Sequence, residues 1–507
     1  MNHRIGIIDI GSNSIRLVIY EVLHSGEHRV LHEKKYAARL SQRVSPDGTI
    51  TKENIDTIIP VLLSYQDICS AYDVLHIRAA ATAAIRNAAN SEEITAWIRA
   101  ATGLTVELIS GEDEGRLGFL GVRESIPLQD GYIIDIGGGS TEITLFLNRE
   151  YRASLSIPYG AVNSHARYGT ADYWRSETVQ GFKHSILTAL KDEDWLLAHP
   201  NLPLVGLGGT VRALAKMVQK RQAYSLPLMH GYMISKEEIQ SFYDTLPYIP
   251  YDQRKKTPGL SKDRTDLIIP GVILLQTIYE LLRSTHYVVS GAGLRDGLFY
   301  EPLHRQFPQF MDQDVLYKSV HNALAFDSLA PQEELDQVYS LMKRLHTTLI
   351  GQGQTQDERI IYAVSMLYRI GERVHHHRAS SHSMYWLMNK GMWGLSHRET
   401  VISAMICDYH KNRTPKQIQD HLDILTPADV DKIHQIGSLL KLARALYSGG
   451  KAIHRVDMQK TDDALHLQLN CSREPSVERV ELAEVKKDIE KAWKLSLKWS
   501  LSLSSTC

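Results

Sequence analysis

Residues 131–147 read G-Y-I-I-D-I-G-G-G-S-T-E-I-T-L-F-L, and residues 4–23 read R-I-G-I-I-D-I-G-S-N-S-I-R-L-V-I-Y-E-V-L. Each stretch gives a β-rich run ending in an acid, a turn of small residues and a second β-rich run, which is a hairpin signal. The two copies lie about 125 positions apart. A repeat of this kind predicts two similar lobes facing each other, each offering its small-residue turn to one cleft. That cleft is the natural candidate for a site.

Working outward, residues 52–72 carry apolar positions at helical spacing, and 75–80 read as a strand leading into A-T-A-A-I-R-N-A. Residues 203–217 (P-L-V-G-L-G-G-T-V-R-A-L-A-K-M) and 287–300 (Y-V-V-S-G-A-G-L-R-D-G-L-F-Y) share one grammar: strand, glycine turn, helix. From about 310 the pattern is mostly helical, with a His-rich stretch at 375–382. After 445 come a strand-like H-L-Q-L-N and a final amphipathic helix beyond Pro475. Pro302 and Pro308 mark a boundary near 305. The expected division is lobe I over 1–125, lobe II over 126–305, a helical domain over 306–444 and a small α+β module over 445–507.

At 507 residues the chain is long enough for several domains. Its 43% hydrophobic and 23% charged residues are ordinary for a folded globular protein and exclude disordered, collagen-like and coiled-coil classes. With 57 Lys plus Arg against 58 Asp plus Glu, the net charge of −1 offers no global attraction for nucleic acid or anionic membranes. A grip on a polyanion must therefore be local. No secretory signal and no run of about eighteen apolar residues is visible. Cys69, Cys407, Cys471 and Cys507 are scattered without metal-type or redox-type spacing. Free thiols in a reducing, cytoplasmic setting are expected.

Transfer of a phosphoryl group needs backbone N–H donors, a cation and an oriented nucleophile. In D-I-G-G-G-S-T-E, Gly137, Gly138 and Gly139 permit close backbone approach, Ser140 and Thr141 add hydroxyls, and Asp135 and Glu142 flank the loop. These oxygen ligands suit Mg²⁺. A triple glycine alone reads as a tight hairpin; its repetition as D-I-G-S-N-S, together with G-L-G-G-T, favours phosphate binding. Glu112, Asp113 and Glu114 stand at a helix start, where acids complement the dipole or one serves as a base. Arg86 and Arg16 are equally open between a surface ion pair and a phosphate fork.

Seven blocks in order across residues 5–300 resemble the exopolyphosphatase and guanosine pentaphosphate phosphatase family of the actin, sugar-kinase and heat-shock-protein-70 superfamily. They are I-D-I-G-S-N-S-I-R-L, A-A-A-T-A-A-I-R-N-A-A-N, I-S-G-E-D-E-G-R-L-G-F-L-G-V, I-I-D-I-G-G-G-S-T-E-I, P-Y-G-A-V, G-L-G-G-T and S-G-A-G-L-R-D-G. The resemblance implies an α/β fold of two actin-like, ribonuclease H-like lobes. It selects Glu114 as catalytic base and places Asp9, Asp135 and Glu142 at a divalent cation. It makes Ser12, Asn13, Arg86, Gly137 to Ser140 and Gly208, Gly209 and Thr210 the phosphate-binding set. The helical region resembles the family's HD-related domain through S-M-L-Y-R-I-G, H-H-H-R-A-S-S-H-S-M-Y-W-L-M-N, L-S-H-R-E and Y-H-K-N-R-T-P. Tyr368 and Arg369 stand where the defining His-Asp pair belongs, so a second metal centre is not expected there. His375, His376, His377 and His382 are read as a helical surface or polyanion contact rather than ligands.

The expected reaction is exopolyphosphatase hydrolysis, releasing orthophosphate from inorganic polyphosphate with Mg²⁺ or another divalent cation. Guanosine pentaphosphate is the close alternative substrate, and an ATP-dependent small-molecule kinase of the same superfamily the remoter one. No nucleic-acid or membrane partner is expected, and the resemblance implies a homodimer.

Overall fold

A computed structural model describes residues 3–169, 172–351, 355–410, 414–450 and 452–503. Cys507 and residues 411–413 of the Y-H-K-N-R-T-P stretch lie outside them. Cys69, Cys407 and Cys471 are free and buried. The chain divides into two compact units, residues 1–224 with 229–315, and residues 225–228 with 316–507.

The first unit holds two sheets. In one, β1 (His3–Ile10), β2 (Ile15–Val22) and β3 (His28–Tyr36) form an antiparallel meander, and β4 (His76–Ala81) and β5 (Val106–Leu108) run parallel to β1, in the order β3-β2-β1-β4-β5. The other repeats this plan. There β6 (Gly131–Ile136), β7 (Thr141–Leu147) and β8 (Glu150–Ile157) form the meander, with β9 (Leu204–Leu207) and β11 (Tyr287–Val289) parallel to β6. A two-residue strand, β10 (Met233–Ile234), is added antiparallel at its edge. The duplicated motif in the sequence is thus a duplicated topology.

Alternation explains how each sheet is covered. Ile8, Ile10, Ile15, Leu17 and Ile19 point to one face of the first sheet and pack with Ile94 and Ile98 of the helix Ser91–Thr102. In the second sheet Ile134, Ile143 and Leu145 meet Trp174, Phe182 and the helix Ile268–Leu282, which is buried on nearly every side. Each such side chain contributes about 1.5–3 kcal/mol by leaving water. Among the described residues no helix is long and apolar enough to cross a membrane. The strands that run parallel, β1, β4 and β5 and then β6, β9 and β11, end on loops that carry the candidate residues, as open α/β sheets do.

The second unit is helical, built around Gln332–Ile350, Thr355–Leu367, Ala379–Lys390, His397–Cys407 and Pro427–Tyr447. Tyr368 donates to Glu334 Oε1 at 2.5 Å, and Arg369 is bound by both Glu334 and Glu372. His375, His376 and His377 are exposed beside the half-buried His382. The module after 450 differs from the sequence reading at its end. The helix Ser476–Trp493 is followed by another strand, so β12 (Ile453–Lys460), β13 (Ala464–Cys471) and β14 (Ser496–Leu503) form a three-stranded sheet. β14 runs parallel to β13, and a parallel pair requires a crossover, which is what that helix supplies.

Candidate active site

A cavity of about 150 Å³ opens where the carboxyl ends of both sheets meet in the first unit. That is room for a phosphoryl group with a cation and waters.

The two duplicated turns touch across this cavity. A Cβ built on Gly138 would lie 3.0 Å from Ser12 Cβ and 3.3 Å from the Asn13 nitrogen, so a side chain there would press the two turns apart by a few tenths of an ångström. From one side the helix α1 (Gly111–Ser125) enters, capped by Ser110, whose Oγ accepts from the Asp113 N–H at 3.0 Å. The cap fixes the start of α1 and sets Glu114 one turn in, facing the cavity. From the other side α2 (Gly208–Gln222) points its N-terminus inward, with no side chain capping it. Free N–H groups and the positive dipole end there suit an anion.

Of the residues singled out in the sequence, Asp9, Ser12, Asn13, Glu114, Asp135, Gly137, Gly138, Ser140, Gly208 and Gly209 line the cavity. Arg86, Gly139, Glu142 and Thr210 lie immediately behind the lining. Gly139 backs onto Ser12 and Thr210 packs under Gly271. Arg86 Nη1 donates to Glu114 Oε2 at 2.7 Å and to the Ile109 carbonyl at 2.9 Å, and its Nη2 is 3.9 Å from Glu142 Oε1. Glu142 Oε1 accepts from Ser140 Oγ and Ser156 Oγ, each at 2.7 Å. Its Oε2 is buried without a hydrogen-bond partner among the described residues. Arg86 therefore serves a carboxylate pair rather than facing the opening.

Three arginines not singled out beforehand, Arg212, Arg264 and Arg295, join Arg16 in the lining. Arg212 and Arg295 had a signal: each follows a glycine turn by a few residues, in G-L-G-G-T-V-R and G-A-G-L-R. Arg264 had none. Burial, and then the field of Arg295, holds Arg16 down to about 10. Burial also lowers Arg212 and Arg264, each further depressed by a neighbouring arginine. These cations crowd one another.

The acids show the opposite strain. Burial raises Glu114 well above the glutamate range, Glu142 raises it further, and Arg86 opposes both. Burial lifts Glu142 to about 7 against the hydrogen bond from Ser140. Asp135 is lifted to about 6 by burial, opposed by Arg212, and Asp9 is raised by burial against Arg295 and Arg16. Among the described residues no group of three His, Cys, Asp or Glu is arranged to cage a metal. The donor set nevertheless fits Mg²⁺, which binds through one or two carboxylates and keeps waters and phosphate oxygens as its other ligands. Of the three acids expected at a cation, Asp9 and Asp135 line the cavity and Glu142 lies behind the lining.

The profile of the Ppx/GppA phosphatase family matches residues 18–306, more than half of the chain. The chain belongs to the Ppx/GppA phosphatase family. A second profile, Ppx/GppA phosphatase domain III, covers residues 325–491. Among Ppx/GppA relatives, Exopolyphosphatase 1 of Mycobacterium tuberculosis is 26% identical over 316 residues, spanning 59% of this chain and 88% of that protein. Its counterpart from Mycobacterium leprae is 25% identical over 304 residues, 59% of this chain and 89% of that protein. The crystal structure of the Aquifex aeolicus Ppx/GppA family member aligns with TM-score 0.54 and 29% identity, covering 61% of this chain and 99% of that one. An exopolyphosphatase from Cytophaga hutchinsonii aligns with TM-score 0.56 and 25% identity, covering 60% of this chain and 98% of that one. The Ppx/GppA fold, two actin-like halves followed by a helical domain, is that of this chain.

Proposed function

We propose that this chain is an exopolyphosphatase that hydrolyses the terminal phosphoanhydride bond of inorganic polyphosphate. The observation that carries the reading is the cavity itself. It accommodates a phosphoryl group, and it is walled by four arginines and a helix N-terminus, with Glu114 turned into it.

In this reading the N–H groups at Gly208 and Gly209 and the turns around Ser12, Asn13 and Gly137 to Ser140 hold the oxygens of the terminal phosphate. Mg²⁺ held by Asp9 and Asp135 would offset charge on the phosphoryl oxygens. Glu114, ionised and oriented by Arg86, accepts a proton from a water in line with the terminal phosphorus. The water oxygen forms the new P–O bond as the bridging P–O bond breaks, and its electron pair leaves with the shortened chain. Glu142 sits behind Glu114, where its ionised form raises the base's proton affinity. A homodimer in a cytoplasmic, reducing setting completes the proposal; light scattering at twice the 57.3 kDa chain mass would test the dimer.

Guanosine pentaphosphate presents the same terminal phosphate and is the second reading, favoured by the family the chain belongs to. One purified preparation assayed on long polyphosphate, guanosine pentaphosphate and ATP decides between them. Preferential orthophosphate release from polyphosphate supports the proposal. Release confined to guanosine pentaphosphate, or an ATP-dependent phosphorylated acceptor, would replace it.

A further inference from the structure

One glycine turn at the cavity has its N–H groups already taken. Residues 290–296 follow the same strand, turn and helix grammar as the turn at Gly208, yet the Gly291 N–H donates to His230 Nδ1 at 3.0 Å, the Ala292 N–H to Ser290 Oγ at 3.2 Å and the Gly293 N–H to Asp296 Oδ2 at 2.8 Å. The turn lines the cavity without offering these donors to a ligand. What it holds instead is the start of a helix, α3 (Leu294–Gln306).

Asp296 is the acid in the first turn of α3, and its bond from Gly293 caps the helix. Its other oxygen, Oδ1, accepts from the Tyr20 hydroxyl at 3.0 Å. Tyr20 stands on β2 of the first sheet, buried, with its ring stacked on Phe299 of α3 at 3.9 Å and 8°. Burial, and then the charge of Asp296, holds the hydroxyl well above the usual tyrosine range, so it stays the donor. Further along α3, Glu301 Oε2 lies 2.9 Å from Arg78 Nη1 of β4, and its Oε1 lies 2.8 Å from Arg116 Nη2 of α1. The helix is therefore tied both to the first sheet and to α1.

The contact with α1 is close. A Cβ on Gly121 would lie 2.5 Å from the Gly293 carbonyl oxygen, and one on Gly297 would overlap the Leu117 carbonyl, so the two helices meet backbone to backbone. Glu114, Leu117 and Gly121 are spaced i, i+3 and i+7 and share one face of α1. The depth of Glu114 in the cavity thus depends on where α3 stands. At its cavity end, α3 is held to the first sheet, which carries Asp9, by Tyr20 and Asp296. Building on the exopolyphosphatase reading, we propose that Tyr20 and Asp296 are positioning residues that set the proposed base Glu114 against the Asp9 side of the cavity. They act through α3 and α1, not on the phosphate.

The test measures kcat and KM on long polyphosphate for the wild type, Tyr20→Phe, Asp296→Asn, Asp296→Ala, Glu114→Gln and the double variant Tyr20→Phe with Glu114→Gln. Tyr20→Phe keeps the ring on Phe299 and removes only the hydroxyl. Its kcat should fall about tenfold with KM within about twofold, because a misplacement of about 1 Å can cost on the order of a hundredfold. Asp296→Asn can still accept from the Gly293 N–H and can donate to the Tyr20 oxygen, so it should keep more of kcat than Asp296→Ala. In the Glu114→Gln background Tyr20→Phe should cost nothing further, since residues acting through one group are not additive. A second tenfold loss in that background marks a role apart from Glu114 and overturns the proposal. Wild-type kcat in Tyr20→Phe, a change confined to KM, or equal losses in Asp296→Asn and Asp296→Ala also overturn it, and all of these leave the exopolyphosphatase reading standing. A wild type that releases no phosphate from polyphosphate overturns both.

Discussion

Asp9 and Asp135 hold the same place in a duplicated unit: each is next to last in the first strand of its sheet, and each is registered opposite the second residue of the strand that follows. The partner is Arg16 in one half and Glu142 in the other. One step further out stand Lys35 and Ser156. The two halves share their carboxylates and differ in what flanks them. One flank is cationic and suits a phosphate chain. The other places Glu142, held by Ser140 and Ser156, behind the proposed base Glu114.

Replacing that base tests its role. Glu114→Gln keeps the shape and removes the proton acceptor, so kcat on polyphosphate should fall by about 10²–10⁴-fold. Binding of polyphosphate, followed by titration calorimetry, should persist. A variant with wild-type kcat would discard Glu114 as the base.

Arg86 should reveal itself in the pH profile. It favours the ionised form of Glu114 against burial and Glu142. Arg86→Ala should therefore raise the proton affinity of Glu114 and move the acid limb of kcat/KM to higher pH, with Arg86→Lys intermediate. A simple loss of rate with an unmoved limb would reduce Arg86 to a structural ion pair.

Glu142 makes a prediction about stability. Burial lifts it to about 7 in the folded protein, above the ordinary value of about 4.3 in the unfolded chain. Between those values the folded state holds a proton that the unfolded state lacks, so this group's stabilisation is full at low pH and lost as pH rises through about 7. Glu142→Gln does not titrate. Its melting temperature should exceed that of the wild type at pH 8, and the gap should close as the pH is lowered toward 4. A gap that is constant with pH would contradict this.

Divalent-cation dependence follows from Asp9 and Asp135. Excess chelator should stop hydrolysis and Mg²⁺ restore it, and Asp135→Asn should raise the Mg²⁺ concentration needed for half-maximal rate. Full activity in chelator would remove the cation from the account.

Much of this was legible in the sequence, because the decisive signals were local. D-I-G-S-N-S and D-I-G-G-G-S pair a strand end with a turn that only small residues can make, and S-G-E-D-E carries its own helix cap in Ser110. What the sequence left open depended on tertiary placement. Arg86 turned from a phosphate fork into a partner of Glu114 because strand β4 and α1 bring them together across 28 positions. Arg264 sits in K-D-R-T, with no periodicity or turn chemistry to mark it, and acquires meaning only against Gly209. The strand β14 was passed over because its partner β13 lies across a whole helix, beyond the reach of hairpin signals.

The most direct test is hydrolysis of long polyphosphate in ¹⁸O-labelled water, with the released phosphate read by mass and the remaining chain by length. Attack by water on the terminal phosphorus predicts a single labelled oxygen in each orthophosphate and chains that shorten from the end. Unlabelled phosphate, internal cleavage of the chain, or phosphate appearing only on an acceptor supplied with ATP would contradict it.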